Sequence, residues 1–316
     1  VGFADNPTFE IAIARDVFTM LQNSAEEFSP DERKELGLPE ECLAKWKSIV
    51  KKLPPYMVND ESNTAGPVDK RGYYIDKLKS PLAADGALKE YAIPNHQEAY
   101  AHRHFSHLYP LFISNEFDPK LTPELWNAAE TAFNKKIEHW PSPTVTGTAT
   151  ATHRRMHAAL CAIRLGKENI AWDILNMLAK GKVFFPSLMM SHFDDHHTFN
   201  VDGNGALPEI VNRMLVYAQA GKIEFIPALP EKLSSGCLKG IRVKKQIEIE
   251  SLEWDIPAGT IKAVIISDID QCIAIAIGGN RSIINFTANS KGANNKKIAL
   301  KAAEKTILKI SFSDKE

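Results

Sequence analysis

FNVDGNGALPEIVNRMLVYAQAGKIEFIPALP, residues 199–230, is where the chain changes character. Before it, apolar residues recur at helical spacing; after it come short β-branched runs broken by Gly, Asn, Asp and Lys. Within it, Gly205–Ala220 reads as a helix stopped by Gly221, and a boundary falls near Ala228-Leu229-Pro230. Asn200, Asp202 and Asn204 set a carboxylate between two amides at the mouth of that helix. The polar run His192, Asp194, Asp195, His196 and His197 comes just before it.

Toward the N-terminus, the periodicity predicts helices over Phe9–Phe28, Glu40–Leu53, Glu98–Phe112, Thr122–Trp140, Thr148–Leu165 and Glu168–Lys180. Pro7 suits a first turn, Pro54-Pro55 stops the second helix, and Gly166 separates the last two. Asp60–Asp85, rich in Gly, Pro, Asn and Asp, reads as a long loop. Toward the C-terminus, six runs read as strands: Leu238–Val243, Gln246–Leu252, Thr260–Ile266, Cys272–Ile277, Ser282–Phe286 and Thr306–Phe312. The expected fold is therefore mainly α with a β tail, the tail being a small β-sandwich, with one domain over 1–230 and a second over 231–316.

A chain of 316 residues, 44% of them hydrophobic, can bury a full core. Its formal net charge of -1 supplies no basic field for nucleic acid or an anionic membrane, so neither is expected as a partner. No run approaches the ~20 apolar residues of a membrane span. Cys42, Cys161, Cys237 and Cys272 have no short spacing, which argues for buried or free thiols rather than a disulfide framework or a zinc knuckle.

Three groupings could carry chemistry. In His102-Arg103-His104-Phe105-Ser106-His107, a helix would put His104 and His107 on one face and turn His102 away, a poor set for one metal ion. His153 and His157, four apart, have better ligand spacing, but no glutamate follows His153, so the metalloprotease pattern is absent. Neither a metal nor a cofactor is expected. Asp202 suits the base of an inverting sugar hydrolysis, in which one carboxyl protonates the leaving oxygen while a carboxylate ~6.5–9.5 Å away activates water. The competing reading makes Asp202 a residue that caps the helix by accepting backbone N–H bonds.

HRHFSHLYPLF at 102–112, FNVDGN at 199–204 and IPALPEKLSSGCLKGIRVKK at 226–245 together resemble glycoside hydrolase family 95, the α-L-fucosidase family that also includes α-L-galactosidases. NPTFEIAIARDVF at 6–18, LPP at 53–55 and GALKEY at 86–91 are similar to the family's intervening segments. The resemblance implies the later part of an (α/α)6 barrel followed by a C-terminal β-domain. It implies a glycan substrate, with Asp202 as general base and His102, His104, Asn200, Asn204 and Glu90 as substrate-binding residues. The family's general acid lies in a Ser-Pro-Glu segment and an asparagine pair assists its base. Both would fall upstream of Val1, so the N-terminal remainder of the same enzyme is the expected partner, and a periplasmic or secreted location is expected. Three departures touch the sugar: FQIDGNFG reads FNVDGNGA here, two expected tryptophans fall on His153 and His157, and the family's Glu-Met pair becomes Arg213-Met214. Fewer aromatic walls weaken stacking by ~1 kcal/mol each. A non-catalytic carbohydrate-binding relative is one alternative. A metal-dependent hydrolase using His153, His157 and Asp194–His197 is another.

Overall fold

A computed structural model describes residues 6–60, 84–93, 98–140, 151–194, 198–289 and 296–314. Most of the long loop expected over Asp60–Asp85 lies outside the described residues. The chain is helical first and β-rich at its C-terminal end, as expected. It packs as two compact units, 1–149 and 150–316.

In the first unit, α1 (Thr8–Glu26) follows Pro7 and buries Thr8, Ile11, Ala12 and Ala25, packing on α3 (Glu40–Lys52). α3 begins on Glu40 and Glu41 and ends on Lys51 and Lys52, both favourable to the helix dipole. Between them lies α2 (Pro30–Glu35), which periodicity did not predict. Its Ser29–Glu32 capping box and first-turn proline form it instead. α4 (Tyr109–Phe112) is a single turn, and α5 (Pro123–Glu138) buries Ala128, Ala129, Ala132, Phe133 and Lys136.

The helix expected over Glu98–Phe112 is not continuous. Turns and bends run to Arg103, and a 3-10 turn at Ser106–Leu108 leads into α4. Lys136 supplies the reason: its Nζ donates to the carbonyls of Ala99 (3.5 Å) and His102 (3.2 Å), which a helix would have used internally.

In the second unit, α6 (Thr152–Arg164) packs on α7 (Glu168–Lys180) and α8 (Val201–Leu215). Gly166, at φ +68°, ends α6 as expected: its N–H reaches Ile163 O and that of Lys167 reaches Ala162 O. The helix expected over Gly205–Ala220 starts earlier and stops at Leu215. Val216–Gln219 is instead β1, paired antiparallel with β2 (Lys222–Phe225), and Gly221 at φ +73° turns the hairpin rather than ending a helix. β-branched and aromatic Val216 and Tyr217 gain a strand partner there.

The strands form two sheets. β1 and β2 join β6 (Gln271–Ile277) and β8 (Lys297–Leu300) in the order β1-β2-β6-β8, with β2 and β6 parallel. The other, fully antiparallel sheet has the order β3-β4-β5-β9-β7: β3 Ser235–Val243, β4 Ile247–Asp255, β5 Thr260–Ser267, β7 Arg281–Ala288 and β9 Lys305–Asp314. The six expected runs are β3–β7 and β9. Along β5 and β9 buried and exposed residues alternate, the pattern of a sheet with one covered face. None of the four cysteines is in a disulfide. No described helix is long and apolar enough to cross a membrane.

Candidate active site

Asp202 lies in the first turn of α8, but it does not cap the helix. Asn200 does, its Oδ1 accepting the Gly203 N–H. That bond orients the amide, so Asn200 Nδ2 donates to His192 Nδ1 at 2.7 Å and the His192 proton sits on Nε2. Asn204 is equally committed: its Oδ1 accepts from Met190 N at 3.0 Å and its Nδ2 donates to Asn200 O at 2.7 Å. Both asparagines thus hold the turn from which Asp202 projects.

The ribbon beneath that turn is formed by Met190–His192 and Thr198–Asn200, through bonds from His192 N to Thr198 O and from Asn200 N to Met190 O. The same ribbon receives α6: Thr152 N donates to His192 O (2.8 Å) and Thr152 Oγ1 to Ser191 O (2.7 Å), both residues being fully buried. The first turns of α6 and α8 are therefore neighbours. A Cβ on Gly203 would come within 2.9 Å of Thr152 Cγ2 and 3.0 Å of Asn200 Oδ1. Arg155 grips Asp194 through two bonds of 2.6 and 3.1 Å, a bidentate pair that fixes the ribbon's end.

This packing joins two residues that the sequence left apart. His153 Nδ1 donates to Asp202 Oδ2 at 3.0 Å, and the His153 ring rests on His157 with centroids 4.1 Å apart. The Asp202 side chain is 60% exposed and so open to water, whereas that of His153 is 18% exposed. Of the metal-hydrolase set, Asp195, His196 and His197 lie outside the described residues. Among the described residues no group of three or more His, Cys, Asp or Glu is arranged to hold a metal ion.

The remaining expected residues belong to the first unit. His102 and His104 stack at 4.8 Å and 20°, so they share a face, and it is His107 that is buried apart from them. This reverses the pairing that a helix would impose. Burial, helped by the charges of Lys136 and His102, pushes the His107 imidazole well below its usual range, and neither ring nitrogen has a hydrogen-bond partner among the described residues.

Glu90 lies in an extended stretch pinned on several sides: Thr8 N donates to Glu90 O, Thr8 Oγ1 to Lys89 O, and Lys89 N to Met57 O. Burial pushes its carboxyl up against the opposing pull of Lys136. Glu98, which sequence reasoning missed, accepts from Glu90 N at 2.8 Å and faces Lys89 Nζ at 3.7 Å in the interior. Burial first, and the Glu90 charge second, raise the Glu98 carboxyl to about 8, against the backbone bond and the two lysines. Lys136, also missed, lies over the Phe105 ring at 5.4 Å. Neither has a periodic signal: each reads as a surface charge until its neighbours are known.

Residues 72–215 match the model of the glycosyl hydrolase family 95 catalytic domain, a stretch that contains Glu90, Glu98, His102, His104, His153 and Asp202. A stretch of just under half of the chain is thus similar to a glycoside hydrolase catalytic domain, that of family 95. Over 174 residues it is 28% identical to alpha-L-fucosidase 2 of Arabidopsis thaliana, a match covering 55% of this chain and 20% of that relative. The chain therefore matches about a fifth of the length of this curated relative.

Proposed function

We propose that the chain is part of an inverting exo-glycosidase that removes terminal α-L-fucosyl or α-L-galactosyl residues from glycans, with Asp202 as general base. The observation that carries this reading is the setting of Asp202. It is an open carboxylate on a helix first turn, fixed by Asn200 and Asn204 below and touched by His153 on one oxygen only among the described residues. In the reaction, Asp202 takes a proton from water as that water attacks the anomeric carbon, and a carboxylic acid on the opposite face gives its proton to the leaving oxygen. That acid is assigned to a glutamate upstream of Val1. His102 and His104 present a flat, polar face suited to sugar hydroxyls, Glu90 is assigned to the same work, and Asn200 and Asn204 are assigned to holding the turn that carries Asp202. In this reading the helices form the later part of an (α/α)6 barrel and the two sheets a small sandwich.

The test is Asp202→Asn in the full natural protein, assayed on aryl α-L-fucoside and α-L-galactoside. Removal of a general base should lower kcat by about 10²–10⁴-fold. Undiminished hydrolysis would sink the base assignment. Turnover of neither substrate by the unsubstituted protein, with retained binding of the free sugars, would favour the carbohydrate-binding alternative.

A further inference from the structure

We propose that His153 is a positioning residue for Asp202, setting which carboxylate oxygen meets the attacking water. The inference rests on the base reading above and goes beyond it, since nothing in that reading needs a histidine at 153.

An exposed aspartate on a helix first turn samples several rotamers and turns its carboxylate plane freely. Here the 3.0 Å bond from His153 Nδ1 ties down Oδ2, while Oδ1 accepts no hydrogen bond among the described residues. One oxygen is an anchor and the other stays available to water. An anchor works only if it is itself fixed, and His153 is. Its ring rests on His157 one helical turn along α6, with centroids 4.1 Å apart and planes inclined at 56°. One residue earlier, Thr152 is bound through both N–H and Oγ1 to the ribbon from which α8 departs.

The two helix starts are thus registered twice through the ribbon of Met190–His192 and Thr198–Asn200, and the close approach of Gly203 to Thr152 leaves little room to slide. The His153–Asp202 contact lies across that registered seam. Placement of a reacting group within a fraction of an ångström is worth a large factor in rate without any change in sugar affinity.

The test separates the donor from the ring. His153→Phe keeps an aromatic ring against His157 and removes the donor; His153→Asn removes the ring and offers an amide N–H where Nδ1 stood. Both are made in the full natural protein, alone and with Asp202→Asn, and assayed on the aryl glycosides. The expected result is a 10–100-fold fall in kcat for His153→Phe with KM within about twofold, recovery of most of it in His153→Asn, and no further loss when His153→Phe is added to Asp202→Asn. Asp202→Asn inactive but His153→Phe near full kcat overturns the inference and leaves the base reading standing. A raised KM in His153→Phe, or no recovery in His153→Asn, also overturns it, making His153 a wall of the sugar pocket. A fully active Asp202→Asn overturns both.

Discussion

Glu98 makes a quantitative prediction about pH. Its carboxyl ionises at about 8 in the folded chain against an ordinary 4.5, with a side chain only 5% exposed. Between those values the folded state holds a proton that the unfolded chain has released, so stability must fall as pH rises through that window and level off above it. At about 1.4 kcal/mol per pH unit the ceiling on this loss is about 5 kcal/mol, and relaxation toward Lys89 will lower it. Gln mimics the protonated acid in shape and cannot ionise. In Glu98→Gln the loss should disappear, so the variant should gain on the parent between pH 5 and pH 9. For a chain of this size 1 kcal/mol moves Tm by roughly 2–4 °C, so the ceiling on the relative gain is about 10–20 °C. Melting curves at half-unit pH intervals, read on the first unit's transition, provide the measurement. Parallel pH dependences for parent and variant would refute the argument. So would a variant that loses most at high pH, which would show an ionised Glu98 supporting Lys89.

Asn200→Ala should lose about 1 kcal/mol for the missing cap and a further ~1–2 kcal/mol for the unanswered His192 nitrogen. Asn200→Asp, which keeps the acceptor for Gly203 and can accept from His192 once the imidazole proton sits on Nδ1, should recover most of the loss. Urea titration of the second unit's transition checks both, and an Asn200→Ala loss under 0.5 kcal/mol, to order of magnitude, would contradict the geometry. Gly203→Ala brings two opposing effects: alanine favours a helix by about 1 kcal/mol, but its Cβ must push Thr152 and Asn200 apart. Overpacking wins here because Thr152 is held by two bonds, so a net loss of about 1–2 kcal/mol is expected in the same titration, together with reduced kcat.

How far the sequence could be read depended on whether the deciding interaction was local. α1, α3, α5, α6 and α7 follow from apolar period and end signals, and six of the nine strands among the described residues from alternation between turn residues. α2 was legible in principle, since Ser29-Pro30-Asp31-Glu32 spells its capping box. The histidine segment was misread because a lysine 34 residues away from His102 takes the carbonyls a helix needs. β1 was misread because Val216–Gln219 continues the helical period of α8 until Lys222–Phe225 offers it a ladder. At the candidate site, the motif singled out Asp202, whereas its bond to His153 spans 49 residues and exists only once both helices sit on one ribbon; the catalytic role stays part of the proposal.

The same division between near and far explains which groups are exposed. Asp202 meets solvent, while the residues that aim it, Thr152, Ser191 and Asn200, are buried. In the first unit the stacked pair of His102 and His104 is carried by Lys136 and Phe105, which are buried as well. On the proposed reading, a carboxylate or imidazole that handles water and sugar hydroxyls cannot be locked by core packing of its own side chain without losing access. Its geometry comes from the backbone it is attached to, held by buried polar bonds that are directional where apolar contacts are not, and for Asp202 from the His153 bond to one oxygen as well. Apolar substitutions in the surrounding helices should therefore reduce stability first, whereas substitutions among these buried polar partners should reduce rate before the fold is lost.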